Sequence, residues 1–318
     1  MPISTNQRAF GQGKYGLELD NVKCGWVSEV DGGHAVADVV VEKMGSDHLQ
    51  KKHIGNVKYE EISFKCGTGM SKALYEWIDT GFNQTFNQPG RGRQNGAILF
   101  ADYDYKELSR LNFFFAILTE LGMPALDAAS KDAAKMTIKF KPEYTRRVIG
   151  QGAKITGGMF PIDAKKQKLW LPSNFRLRID GLEEPCSRVN KIEALTIKQK
   201  VTENAVGEMR DYEQEPTSVE VPNLVITTAE SHAGPLYRWH EDFVINGNCG
   251  EENERGGTLE YLAADRKTVL FTLTFKNLGI FKLAPDKMEA GAEGIRRVKA
   301  EMYCEDIRFS YSPAAVFG

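Results

Sequence analysis

Five histidines, His34, His48, His53, His232 and His240, are the side chains best suited to proton transfer or metal ligation near neutral pH. None is spaced for that work. His240-Glu241 begins like the zinc-protease pattern HExxH, but Val244 stands where the second ligand belongs. Cys24, Cys66, Cys186, Cys249 and Cys304 are an odd set without a CxxC pair, and read as free, mostly buried thiols. Ser71, in the glycine-rich run Gly67 to Ala73, lacks the GxSxG elbow of a nucleophile and reads as a helix cap. "GQGKY" (11–15) and "GQGAKITGG" (150–158) place a lysine among glycines, yet Tyr15 and Ile155 follow it where a phosphate loop needs Ser or Thr. Asp102 and Asp104 lack the central glycine and bidentate glutamate of a calcium loop. The expectation is therefore no catalytic residue, no cofactor and no metal.

Charge points to contacts between protein surfaces. The basic loop "PGRGR" (89–93) supplies Arg91 and Arg93, and the acidic "GEENERGG" (250–257) supplies Glu251 and Glu252 in the comparable part of the second half. Opposite charges at related places can pair when two copies lie side by side. The 318 residues carry a net charge of −2, with 20 basic against 18 acidic residues up to position 158 and 21 against 25 beyond it. Neither half is a platform for neutralising DNA phosphates. No stretch approaches a membrane span, and the polar start Met1 to Phe10 has no apolar core, so folding in a cytosol and no membrane partner are expected.

The elements that would position these residues occur twice. Ala73-Leu74-Tyr75-Glu76-Trp77 returns as Pro235-Leu236-Tyr237-Arg238-Trp239, a displacement of 162. Cys24 and Val27 meet Cys186 and Val189 at that displacement, as Met136, Ile138 and Phe140 meet Val298, Ala300 and Met302. The run 113–117 matches 271–275 at 158, implying four residues lost from a loop, and 15–20 matches 175–180 at 160. A tandem duplication follows, with domains 1–158 and 159–318 joined near Gly150 to Gly158.

Each half reads as mostly β. Phe271, Leu273 and Phe275 alternate with threonines, and Leu195, Ile197 and Val201 alternate with polar residues except at Gln199, as one-faced antiparallel strands require. The repeated motif is a short helix. Leu74, Trp77 and Ile78 form one apolar stripe between Ser71 and Gly81, and Leu236, Trp239 and Phe243 form the other after Pro235. Leu74, Trp77, Leu236 and Trp239 are thus structural anchors, whereas Glu76 and Arg238 face outward with reversed charge and are candidates for a subunit contact.

Residues 55–78, "GNVKYEEISFKCGTGMSKALYEWI", and the block 96–126 resemble the tail tube protein family of contractile phage tails and related injection systems. The likeness rests on Lys65-Cys66-Gly67 at a strand-to-turn step, Glu76-Trp77-Ile78 in the helix and Asn112-Phe113 in a hairpin strand. It spans most of 15–148 and, through the repeat, 175–311 more faintly. Leu121-Gly122 and Pro124 depart from the family's usual Trp or Pro at the end of that strand, as do Gly279-Ile280 in the second half.

The resemblance implies two tandem β-barrel or sandwich domains, mainly β with short helices, each with a flanking helix. It implies rings of six such domains, stacked into a channel, and so a structural, non-enzymatic protein of the inner tube or its adaptor to the baseplate. Three chains of two domains fill six positions, so a trimer is expected, with a hexamer of two layers as the alternative. Implied partners are the tail tube, sheath, and baseplate hub or spike, with DNA or effector cargo crossing the lumen. Assembly would take place in the bacterial cytoplasm, and the product would sit in a phage tail or injection particle. A duplicated β-barrel enzyme or ligand module is the other reading, and a nucleic-acid-binding β module a third.

Overall fold

A computed structural model describes residues 13–43, 45, 48–82, 92–150, 152–155, 170–285 and 294–316. In the first half, β1 (Lys14–Leu19), β2 (Val22–Val27), β3 (Glu29–Gly32), the hairpin β4 (Ala35–Glu42) and β5 (Lys51–Tyr59), and β6 (Ile62–Cys66) lead into helix α1 (Lys72–Phe82). Then follow β7 (Gln94–Ala101), β8 (Glu107–Met123), β9 (Leu126–Asp127), β10 (Met136–Lys141) and β11 (Tyr144–Ile149). The second half runs β12 (Phe175–Ile179), α2 (Glu183–Cys186), β13 (Val189–Ile192), the hairpin β14 (Leu195–Asn204) and β15 (Glu213–Glu220), and β16 (Leu224–Ala229). It ends with α3 (Gly234–His240), β17 (Arg255–Leu262), β18 (Val269–Pro285) and β19 (Arg297–Tyr311). The fold is mainly β with short helices.

The repeat is visible as register. Phe113 of β8 faces Gly96 of β7, and Phe275 of β18 faces Gly257 of β17. Along the long strands the displacement is therefore 162 (275 − 113). The sequence match of 113–117 to 271–275 at 158 is corrected: aromatic runs of similar composition had slid by two pleats, and the only offset here is one residue at β7 and β17, where Gly96 meets Gly257 at 161 (257 − 96). Both long strands carry a left-handed residue at the same point, Phe115 (φ 51°) and Asn277 (φ 53°). A second bulge also repeats, where Lys139 faces Glu120 and Phe140 faces Leu118, as Glu301 faces Lys282 and Met302 faces Ile280. Gly96 and Gly257 have one purpose. A Cβ at either would lie 2.2 Å or 2.9 Å from the carbonyl oxygen of Glu18 or Arg178 on the neighbouring strand.

Helix α1 buries Leu74, Tyr75, Trp77 and Ile78, and α3 buries Leu236 and Trp239. Two expectations about the first helix change. Gly81 lies inside α1, where a Cβ would come 2.7 Å from Leu118 Cδ1, so it permits close packing instead of ending the helix. The Ser71 hydroxyl caps no amide; its carbonyl accepts from Leu74 N at 3.2 Å. The polar break at Gln199 is a bulge in the β14–β15 pairing, and Gln199 is buried there.

Strands cross between the halves. A ten-stranded sheet runs β2-β1-β7-β8-β10-β6-β3, with β11 also on β8, and takes in β14 and β15 because β14 pairs with β8. A seven-stranded sheet runs β12-β17-β18-β19-β16-β13-β9, so the first half returns one short strand. The hairpin β4–β5 forms a separate two-stranded sheet. Tyr75 of α1 is fully buried against the other half, with its ring 5.3 Å from Tyr311 and 5.5 Å from Phe271. One hydrophobic cluster runs through both halves.

Replacing Tyr75 by Ala should lower unfolding free energy by about 3 kcal/mol, the usual cost of emptying a large aromatic site. The same change at its counterpart Tyr237, which is 40% exposed, should cost under about 1 kcal/mol in the isolated chain. Urea titration of both variants checks the contrast.

Candidate assembly interface

The joint between halves begins with an unpaired strand edge. β7 pairs with β8 as far as Ala116, and β10 covers the other side of β8 from Ile117 onward. The last turn of the pleat would present bare amides and carbonyls on its outer side. β14 takes that edge, with Leu195 facing Met123, Thr196 facing Gly122, Ile197 facing Leu121 and Lys198 facing Glu120. Leu195 and Ile197 are buried as a result. At Gly122 a Cβ would stand 3.8 Å from Thr196 Oγ1, so the strands run side by side without a gap.

Beyond this pairing the hairpin lies acidic against a basic face. Glu203 receives Lys141 Nζ at 2.7 Å and Lys58 Nζ at 3.2 Å. Arg93 Nη2 donates to the Gln214 carbonyl and to Glu215 Oε1, both at 2.7 Å, and Arg93 Nε stands 3.7 Å from Glu143. Arg146 lies 3.8 Å from Asp211. The Lys141 hydrogen bond, more than the two lysine charges, holds the Glu203 carboxyl below its ordinary value. Burial pushes Glu143 above its own, although Gln214 N and Arg93 act against that.

The candidate residues from the sequence fall into three groups. Leu74, Trp77, Leu236 and Trp239 are core side chains; Trp77 Nε1 donates to the Gly92 carbonyl at 2.7 Å, and the Arg255 guanidinium lies 4.9 Å over the Trp239 ring. Glu76 is exposed and pairs with Lys72 along its own helix at 2.7 Å, and its negative charge reaches Tyr311 of the other half; Arg238 is exposed at the matching place on α3. Arg93 sits in the joint, Arg91 lies outside the described residues, and Glu251 and Glu252 occupy an exposed turn. Among the described residues Arg93 reaches Glu143 and Glu215 of the joint. The sequence reading passed over Tyr75, Lys141, Glu203 and the β14–β15 hairpin. Their signal was the contrast of two matched hairpins, one acidic and one basic.

A groove of about 500 Å3 over β12 and α2 is lined by Asp180, Glu183 and Cys186 with apolar Phe175, Leu177 and Ile179. Burial pushes the Cys186 thiol up to about 11, so it is not a nucleophile near neutrality. No group of three or more His, Cys, Asp or Glu fit to hold a metal occurs among the described residues. No helix there is long and apolar enough to cross a membrane.

The two carboxylates of the joint titrate in opposite senses. A lowered Glu203 contributes stability that is complete above its unfolded pKa and is lost as pH falls through the folded value, whereas a raised Glu143 favours the native state as pH falls. Glu203→Gln should therefore flatten the acid-side loss of unfolding free energy between about pH 5 and 3, and Glu143→Gln should steepen it. Urea midpoints across that range read both slopes.

No curated protein matches the chain. Among solved structures, the tube-terminating cap of the anti-feeding prophage is 20% identical, with a TM-score of 0.40 over 47% of this chain and 100% of that one. The sheath–tube complex of an extracellular contractile injection system is also 20% identical, with a TM-score of 0.40 over 46% and 99%. Hcp1 from Flavobacterium johnsoniae is 13% identical, with a TM-score of 0.26 over 43% and 95%. The family of the T4-like virus tail tube protein gp19 matches residues 12–146, so the first half of the chain is similar to the tail tube proteins.

Proposed function

We propose that the protein is a structural ring-former of a contractile tail or injection particle, built from two tube-like domains, 1–158 and 159–318. The observation that carries this reading is the strand β14 on the edge of β8. It is a lateral contact between repeats, made inside one chain. Each half offers one donor hairpin and one receiving edge, so the contact is head-to-tail and generates a ring when its rotation closes. Three chains then give six positions with true threefold symmetry, and half of the lateral contacts are intramolecular. Fusion raises the effective concentration of those contacts, which suits a ring that must form before others stack on it.

In this role the ring belongs to the inner tube or to its adaptor at the baseplate, next to tube, sheath and hub or spike proteins. DNA or effector cargo passes through the lumen without a dedicated binding site. The particle, phage tail or injection device, is where the protein ends up after assembly in the bacterial cytoplasm. The groove over β12 holds Cys186 beside Asp180 and Glu183, but burial keeps that thiol protonated near neutrality, so the groove lends the enzyme reading no support.

Light scattering of the purified protein at high concentration should give the mass of three chains, and negative-stain images should show rings. A mass of six chains would favour a ring of two layers, and a stable monomer would refute ring formation.

A further inference from the structure

The joint inside the chain is a template for a joint the chain leaves open. We propose that the β4–β5 hairpin of one copy docks on the free edge of β18 in the next, in the register that β14 uses on β8; this rests on the ring reading above. The receiving edge is present. β19 covers one side of β18 with Lys282 facing Glu301 and Leu283 facing Ala300, as β10 covers β8 with Lys139 facing Glu120 and Ile138 facing Leu121. β17 stops at Leu278, and among the described residues no strand pairs with the outer side of Lys282–Pro285.

The donor is present too. β4–β5 has the pairing of β14–β15 displaced by 162: Ala37 faces Val57 as Gln199 faces Val219, and Val39 faces Ile54 as Val201 faces Pro216. It joins no other sheet, and it leaves Val39 62% and Ile54 67% exposed. A two-stranded hairpin with bare apolar side chains is marginal in water without a third element. By the template, His34 would face Ala284 and Val36 would face Lys282.

The register of the inner joint names the occupant, a second copy, and charge accords with it at a few positions. Where the docked hairpin has Glu213 and Glu220, the open one has Lys51 and Lys58. Where the first half receives with Arg93, the second has Glu254, whose Oε1 accepts from Tyr303 and whose buried Oε2 makes no hydrogen bond. Even the ion pair beside the edge is inverted: Lys139 to Glu120 at 2.9 Å in one half, Glu301 to Lys282 at 2.7 Å in the other. An acidic hairpin on a basic face is used up within the chain. The basic hairpin β4–β5 and the bare edge beside Glu254 and the Lys282–Glu301 pair remain, and the register of the inner joint fits them to each other across two copies. The helix contact extends the match, because Tyr237 stays half-exposed where Tyr75 is buried, and the counterpart of Tyr311 is Ile149, 85% exposed. The inversion also opposes the wrong joint, since a basic hairpin meeting a basic face is repelled.

The test is a cysteine pair, His34→Cys with Ala284→Cys in a Cys249→Ser background, oxidised and run on denaturing gels, beside the charge variant Lys51→Glu/Lys52→Glu. Directly opposed strand positions lie within disulfide reach. Inter-copy disulfides closing at three chains, and a dissociation concentration raised about tenfold in the charge variant, would support the proposal. Wild-type rings with neither cross-link nor charge effect would overturn it and leave the ring reading standing. A wild-type chain that stays monomeric would overturn both.

Discussion

The structure depends on one constraint: strands of 17 residues that outrun their neighbours. β7 covers β8 only to Ala116, and β17 covers β18 only to Leu278, so each long strand ends in a stretch with one paired and one bare edge. Backbone groups at a bare edge need a partner, and the alternatives in water are a charged guard, a covering loop or another strand. This chain covers the first bare edge with a strand from its own second half. Burial of Leu195 and Ile197, the ion pairs of Arg93 and Lys141, and the lodging of Tyr75 against Tyr311 all follow from that placement.

The two halves share their geometry and differ in their chemistry. Bulges, glycine approaches and left-handed residues recur at matching positions because the backbone path demands them: Gly96 with Gly257, and Phe115 with Asn277. Side chains at the joint are under no such demand: Glu203, Asp211 and Glu215 give way to Val41, Leu49 and His53, Lys141 to Tyr303 and Arg93 to Glu254, while Arg146 is kept as Arg308. Two identical halves would be free to pair in any order, and side chains that differ between the halves can favour one order over another.

Much of the core was legible in the sequence. Leu74, Trp77, Leu236 and Trp239 stood out because helical spacing and the repeat agreed, and both signals report burial. Tyr75 was less visible, since its partners Phe271 and Tyr311 lie about 200 residues or more away along the chain and no local period encodes them. The slip to 158 at the long strands had a physical origin: with a period of two, an aromatic strand shifted by an even number of residues keeps its faces and looks equally well matched. Arg93 was noticed for its charge, but its partners Glu143 and Glu215 come from the β10–β11 turn and from β15, which only the folded sheet brings together. Ser71 and Gly81 fitted a capping pattern that the observed helix does not use, because Gly81 answers to Leu118 instead.

The central claim is that the bare edge of β18 is completed by a neighbouring copy as the edge of β8 is completed within the chain. A cryo-electron microscopy reconstruction of the assembled protein tests this directly. The account predicts a threefold ring in which β4 runs antiparallel beside Lys282–Pro285 of the next copy, with six nearly equivalent joints. A ring whose β18 edge faces solvent, or one in which identical halves meet each other, would contradict it.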